Sequence, residues 1–108
     1  ERHHCNLCDI STTSVLRASH IKEWAESSKE ERIDANNGLL LCANHDALFD
    51  RHLISFEPNT GNICISASID DDQRNALNLS KSARISMNER MKAYMQIHYK
   101  KFIEKENQ

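Results

Sequence analysis

Four residues of the types that bind zinc occur in this chain as two short pairs. Cys5 and Cys8 form the first pair, Cys42 and His45 form the second, and two residues separate the members of each pair. Thiolate and imidazole groups are the donors that zinc prefers, and four of them close a tetrahedral structural site. The two histidines that directly precede Cys5 are alternatives to His45 as the fourth ligand.

The stretch between and beside these pairs carries residue types used in acid–base chemistry. His20 ends a predicted strand, where a neutral imidazole can take a proton from water near neutral pH. Asn37 precedes a glycine, and Asp46 directly follows His45. Taken singly, the asparagine is a common turn residue and the aspartate suits the first turn of a helix. A zinc site closed by the two pairs is expected to hold all three together.

Composition limits what kind of protein this is. The 108 residues suit one domain, and the 39% hydrophobic content allows a modest core that a structural metal would help. The formal net charge of −2 excludes a protein held to nucleic acid by overall charge, so any such contact needs a local basic surface. Two disulfides are an alternative use of the four cysteines, but the paired spacing favours zinc and a reducing, cytoplasmic location.

The sequence also indicates whether the chain associates with a membrane and whether it belongs to a longer protein. No apolar run approaches the ~18 residues needed to span a bilayer, so no membrane association is expected. The first residue is Glu rather than Met. We therefore expect a domain excised from a longer protein, with an additional recognition domain on the N-terminal side.

Hydrophobic periodicity and turn residues predict an α+β fold. Predicted in order are a strand over 14–21, a helical turn capped by either Ser27 with Glu30 or Ser28 with Glu31, a turn over 34–38, a short apolar run over 39–41, a short helix over 44–51, a β-hairpin over 53–66 and helices between about 70 and 105. The last helix is expected to begin with a capping box of Ser86 and Glu89.

The strings "ASHIKEW" and "DANNGLLLCANHDALFDRHLISF" closely resemble the HNH nuclease family, nearest its restriction-endonuclease-like branch. The resemblance covers about residues 5–57. It implies a zinc-stabilised ββα-metal core, here followed by the hairpin 53–66 and C-terminal helices over about 70–105, within a single domain 1–108. It also implies one divalent cation beside a histidine general base.

The resemblance assigns roles to matching positions. His20 corresponds to the base that activates water, and Asn37 to the central asparagine that orients the histidine loop. Asp46 falls at the last motif position, where it would bind the catalytic cation, and Asp50 would support the cation or the helix. The zinc-ribbon positions of the family correspond to Cys5, Cys8, Cys42 and His45. The implied cofactors are structural Zn²⁺ and catalytic Mg²⁺ or Mn²⁺, with Ni²⁺ or Co²⁺ admitted if an imidazole joins the ligands.

Three positions depart from the family pattern. Ser19 stands before the base, where related nucleases often carry an acidic cation ligand. Asp46 replaces the last motif histidine, unless His45 plays that part and leaves the zinc short of a ligand. His52 occupies a position usually held by glycine, where it is either an extra donor or neutral.

The function expected from this pattern is metal-dependent hydrolysis of DNA, as the cleavage domain of a restriction-type enzyme. The expected partner is double-stranded DNA, and a second copy of the chain is a candidate partner for double-strand cleavage. The side chains expected to contact backbone phosphates are Arg17, Lys22 and Arg51. Trp24 is expected to pack, with stacking as the alternative. A zinc-stabilised DNA- or protein-binding module without activity is the main competing function, and RNA is a further candidate substrate.

Overall fold

The structure is a computed structural model that describes residues 3–108, and it confirms the α+β class. Glu1, the start of the predicted zinc-binding segment, lies outside the described residues. The strands are β1 (Leu16–His20), β2 (Gly38–Cys42), β3 (Ile54–Phe56) and β4 (Ile63–Ile65). The α-helices are α1 (Lys29–Arg32), α2 (Ala43–Asp50), α3 (Asp71–Ala76) and α4 (Glu89–Glu106). Single 3-10 turns occupy Thr13–Val15, Trp24–Glu26 and Ala35–Asn37.

The first two strands and the helix that follows them form the frame of the site. β1 and β2 are antiparallel, with Leu16 opposite Cys42 and His20 opposite Gly38. Because α2 begins at the residue after β2 ends, the chain reverses at Cys42, and the helix packs back against both strands. Phe49 of α2 is fully buried and provides the main apolar anchor of this packing.

The connection between β1 and β2 is ordered by local caps. Ser28 and Glu31 form a reciprocal capping box at the start of α1, as one of the two predicted pairings requires. Asp34 then accepts the backbone N–H of Asn36 and begins the 3-10 turn that carries Asn37. These caps use side chains to satisfy backbone groups that so short a helix cannot pair by itself.

The second hairpin is confirmed, with β3 and β4 antiparallel. Its turn contains Gly61 at φ 78°, and a Cβ there would lie 2.1 Å from the carbonyl oxygen of Ile85. Only glycine tolerates both this backbone conformation and this close approach. The turn of the hairpin therefore packs directly against the segment that leads into α4.

The last helix packs against β3 and the Ala35–Asn37 turn, and it buries Met95, His98 and Phe102. The prediction that Ser86 caps it is wrong: Asn88 is the N-cap, and its side chain accepts the N–H of Met91. Because α4 begins at Glu89, Asn88 is the residue directly before the helix, and its Oδ1 rather than the hydroxyl of Ser86 accepts a hydrogen bond from the first turn. Among residues 3–108, no helix is long and apolar enough to cross a membrane.

Candidate functional site

The four predicted zinc ligands converge on one point. The sulfur atoms of Cys5, Cys8 and Cys42 and a ring nitrogen of His45 all lie within 4.8 Å of one another. Cys8 is half-buried and the other three residues are buried, and none of the three cysteines forms a disulfide. Three thiols and one imidazole form a donor set that fits tetrahedral zinc. The histidines at positions 3 and 4 are exposed and do not belong to this cluster.

A hydrogen bond on the side away from the thiols fixes the orientation of the His45 ring. Its Nε2–H donates to the carbonyl oxygen of Leu77, 2.8 Å away, and its Nδ1 lies 3.3 Å from the sulfur of Cys5. A hydrogen bond from one ring nitrogen to a carbonyl leaves the other nitrogen as the metal donor. His45 therefore faces the thiols.

The thiols show why a cation suits the cluster. Burial raises the pKa of Cys5, but its contacts with His45 and the N–H of Leu7 outweigh burial and bring that pKa down to about 7. Burial and the neighbouring sulfurs raise the pKa of Cys8 to about 11. Without a positive charge at the centre, one thiolate opposes the ionisation of the next. A divalent cation removes this conflict.

His20 is half-buried at the end of β1. Its Nε2–H donates to the carbonyl oxygen of Arg32, 3.2 Å away. In a neutral ring this bond leaves Nδ1 unprotonated and able to accept a proton. Such an arrangement is what a general base requires.

Asn37 is 1% exposed and holds the loop that follows His20. Its Oδ1 accepts the backbone N–H of Lys22 at 2.7 Å, and its Nδ2 donates to the carbonyl oxygen of Glu31 at 3.0 Å. The same Nδ2 lies 3.4 Å from the hydroxyl of Ser27. Asn37 thus fixes the two ends of the loop whose Arg32 carbonyl orients His20, and it acts as a positioning residue.

Asp46 and His20 line the same cavity, which has a volume of about 340 Å³. Ser19, 4% exposed, donates its hydroxyl to Asp46 Oδ1 at 2.5 Å. Asp50 lies one helical turn beyond Asp46 and also lines the cavity. The two carboxylates and the imidazole therefore line one cavity.

A third carboxylate at this cavity was not anticipated. Glu23 lines the cavity, and its Oε2 forms an ion pair with the Nζ of Lys101 in α4 at 2.7 Å. The Lys101 ammonium lowers the pKa of Glu23, and Lys101 also pairs with Glu26. Glu23 lies three residues after His20, which is the one signal that could have indicated it. Nothing in the sequence identifies Lys101 as its partner.

The three side chains predicted to contact phosphates differ in their exposure and in their pairing with other residues. Arg17 is exposed on β1 and donates to the carbonyl oxygens of Ser14 and Leu16. Lys22 is paired with Glu31 at 2.9 Å, so its charge is already compensated. Arg51 is exposed at the end of α2. Arg17 and Arg51 keep accessible side chains, whereas Lys22 fits a structural ion pair better.

Two further side chains are placed differently from the simplest expectation. Trp24 was expected to pack, yet it is 57% exposed and lines the cavity with His20 and Asp46. His52 has φ 57°, which explains why glycine suits that position. Its ring stacks on His98 with centroids 4.2 Å apart and does not line the cavity, so it is not an extra donor there.

Comparison with known proteins adds one match. Residues 5–57 match a protein-family model described as HNH endonuclease. No curated protein matches the chain. The matched segment contains both the four-ligand cluster and the cavity that His20 shares with Asp46.

Proposed function

Because the chain belongs, through residues 5–57, to the HNH endonuclease family, we propose that it is a metal-dependent DNA endonuclease that hydrolyses phosphodiester bonds with His20 as general base. The observation that carries the proposal is the cavity lined by His20, Asp46 and Asp50. An imidazole with one free nitrogen opposite carboxylates is the combination that this chemistry needs.

In this proposal His20 accepts the proton of a water molecule through Nδ1. The hydroxide oxygen then attacks phosphorus, and the bond to the departing sugar oxygen breaks. The hydrogen bond from Nε2 to the Arg32 carbonyl stabilises the imidazolium that results. Asn37 keeps that carbonyl in place through its bonds to Lys22 and Glu31.

The residues present fit a hard divalent cation at the cavity. Carboxylate oxygens are the ligands of Mg²⁺ and Mn²⁺, which are commonly held by one or two carboxylates together with water and phosphate. Asp46 would hold the cation, with Asp50 beside it, and Ser19 would orient the Asp46 carboxylate. The cation, when bound, supplies charge stabilisation for the scissile phosphate and the leaving oxygen. Because His45 belongs to the cysteine cluster, this set lacks an imidazole ligand, which disfavours Ni²⁺ and Co²⁺.

The wider role follows as part of the same proposal. The substrate is double-stranded DNA, and the chain acts as the cleavage domain of a restriction-type enzyme. Arg17 and Arg51 bind backbone phosphates from the surface around the frame. Structural Zn²⁺ on Cys5, Cys8, Cys42 and His45 stabilises the fold. Cleavage of both strands needs two copies of the chain or two successive nicks.

Conversion of supercoiled plasmid to nicked circles tests the proposal. The protein is incubated with plasmid and Mg²⁺, Mn²⁺ or Ni²⁺, with His20→Ala beside it and His3→Ala as a matched control at an exposed histidine. The zinc content of each variant is measured so that loss of the structural zinc or misfolding is not mistaken for lost catalysis. We expect metal-dependent nicking by the wild type and His3→Ala, and none by His20→Ala. Equal nicking by His20→Ala would contradict the proposal.

The hydrogen bond between Ser19 and Asp46 favours one competing function. A serine in place of an acidic ligand leaves the cation with fewer charged donors, as in a scaffold that binds DNA or protein without cutting. Retained DNA binding with no nicking under any of the three cations would support this module.

A further inference from the structure

The loop after β1 exposes an aromatic side chain at the cleavage cavity. Trp24 is 57% exposed although it is the only tryptophan of the chain, and tryptophan is usually well buried. It lines the cavity with His20, Asp46 and Asp50. Leaving so large an apolar ring in water forfeits burial energy, which a ligand can recover.

Trp24 is held rigidly in this position. The guanidinium carbon of Arg32 lies 3.6 Å from the centroid of its ring, and Arg32 Nε donates to the Trp24 carbonyl oxygen at 2.9 Å. The N–H of Ser27 donates to the same oxygen at 3.2 Å and closes the 3-10 turn. One face of the indole is therefore covered by a cation, and the exposed remainder is preorganised for a flat ligand.

This pair of residues is also joined to the proposed base. The carbonyl oxygen of Arg32 accepts the Nε2–H of His20, so one residue contacts both the exposed indole and the histidine. A ligand that stacks on Trp24 therefore lies next to the group that activates water. An indole face beside a guanidinium matches a nucleotide, whose base stacks and whose phosphate is anionic.

Paired bases inside a duplex cannot use such a surface, because both of their faces are covered by neighbouring base pairs. Only a base that is single-stranded, bulged or flipped out offers a free face. We propose that Trp24, backed by Arg32, is a stacking site for one unpaired nucleobase next to the scissile phosphate. The enzyme then prefers DNA with an unpaired nucleotide at the cleavage site over fully paired duplex. This inference rests on the proposed function, because it names the substrate feature recognised at the same cavity.

Binding is measured with three labelled 20-nucleotide probes: a single strand, its matched duplex, and that duplex with one central bulged nucleotide. Ca²⁺ replaces Mg²⁺ so that no turnover occurs. Because Trp24 is the only tryptophan, quenching of intrinsic fluorescence reports stacking at this residue alone. We expect quenching by the single strand and the bulged duplex, and about fivefold or greater preference for the bulged over the matched duplex by anisotropy.

Variants separate stacking from folding. Trp24→Ala is expected to bind both duplexes equally, whereas Trp24→Phe keeps most of the preference, because phenylalanine retains an aromatic face. Ile97→Ala, at an exposed apolar residue on α4, is the matched control and should keep the full preference. Thermal melting and zinc content confirm that each variant is folded.

A preference for the bulged duplex that survives in Trp24→Ala would overturn the inference, as would equal wild-type affinity for both duplexes. Either result leaves the plasmid assay to decide on hydrolysis. Conversely, a Trp24-dependent preference without any nicking would overturn the proposed catalysis and support the stacking site.

Discussion

The hydroxyl of Ser19 donates a hydrogen bond of 2.5 Å to the Asp46 carboxylate across the gap between β1 and α2. Ser19 occupies the position before the proposed base, where an acidic residue often binds the cation in related nucleases. In this chain that position donates a hydrogen bond to Asp46, the proposed cation ligand, instead of adding a charge. Ser19 is 4% exposed, so water cannot easily replace its bond to the carboxylate.

Ser19→Ala is therefore expected to weaken cation binding at Asp46. Loss of an outer partner of a metal ligand commonly costs about 10- to 100-fold in metal affinity or activity. The Mn²⁺ concentration that gives half-maximal plasmid nicking measures the effect. Ser14→Ala, at an exposed serine before β1, is the control and should leave the requirement unchanged. An unaltered Mn²⁺ requirement in Ser19→Ala would show that the hydrogen bond does not orient the ligand.

The cysteine cluster makes a prediction about stability. Cys8→Ser removes one of four zinc donors, so the variant is expected to lose its metal and to unfold or aggregate. Cys64→Ser, at a half-buried cysteine of β4 outside the cluster, should stay folded and contain about one zinc per chain. Elemental analysis and thermal melting are the measurements. A folded, metal-free Cys8→Ser protein would contradict a structural zinc.

Asn37→Ala is expected to impair both stability and catalysis. The substitution leaves the Lys22 N–H and the Glu31 carbonyl without their buried partner, at a cost of roughly 2 to 4 kcal/mol in the free energy of unfolding. The loop that orients His20 is then free to shift, and a displacement of about 1 Å can cost about 100-fold in rate. Nicking rates well below the melting temperature separate the two effects, with exposed Asn44→Ala as control. A folded Asn37→Ala enzyme with the wild-type rate would exclude the positioning role.

His98 predicts how stability depends on pH. Burial lowers the pKa of His98 to about 4, and the ring accepts the hydroxyl of Ser55 and donates to the carbonyl of Phe49. Between about pH 4 and the ordinary value of 6.5, the unfolded chain binds a proton that the folded chain does not. Stability contributed by neutral His98 is thus complete above pH 6.5 and is lost as the pH falls toward 4, by up to about 3 kcal/mol.

Urea unfolding at a series of pH values measures this loss. Release of zinc in acid also destabilises the protein, so the informative quantity is the difference between wild type and His98→Leu. The variant should be less stable at pH 7 but should lose less stability between pH 6.5 and 4. Parallel curves for the two proteins would mean that His98 does not titrate in this range.

Features that depend on neighbouring residues could be predicted from the sequence. The Ser28–Glu31 capping box, the hairpin around Gly61 and the paired zinc ligands each need only short spacings or a recognisable pattern. The shared cavity of His20 and Asp46 followed from the family resemblance together with the expected zinc closure.

Features that depend on long-range packing could not be predicted. The Leu77 carbonyl that fixes His45 and the Lys101 ammonium that pairs with Glu23 come from parts of the chain with no local pattern. The exposure of Trp24 was missed because an aromatic residue amid charged neighbours has no periodicity that shows which face is covered. The partner that covers it, Arg32, was visible only as one of many charges.

The central claim is that a cation at Asp46 lies within a water molecule's reach of His20. Anomalous diffraction from crystals grown with Mn²⁺ tests it directly. We predict a manganese peak about 2 Å from an Asp46 carboxylate oxygen, with His20 Nδ1 facing a water bound to that ion. A peak confined to the cysteine cluster, or a His20 ring turned away from the ion, would contradict the account.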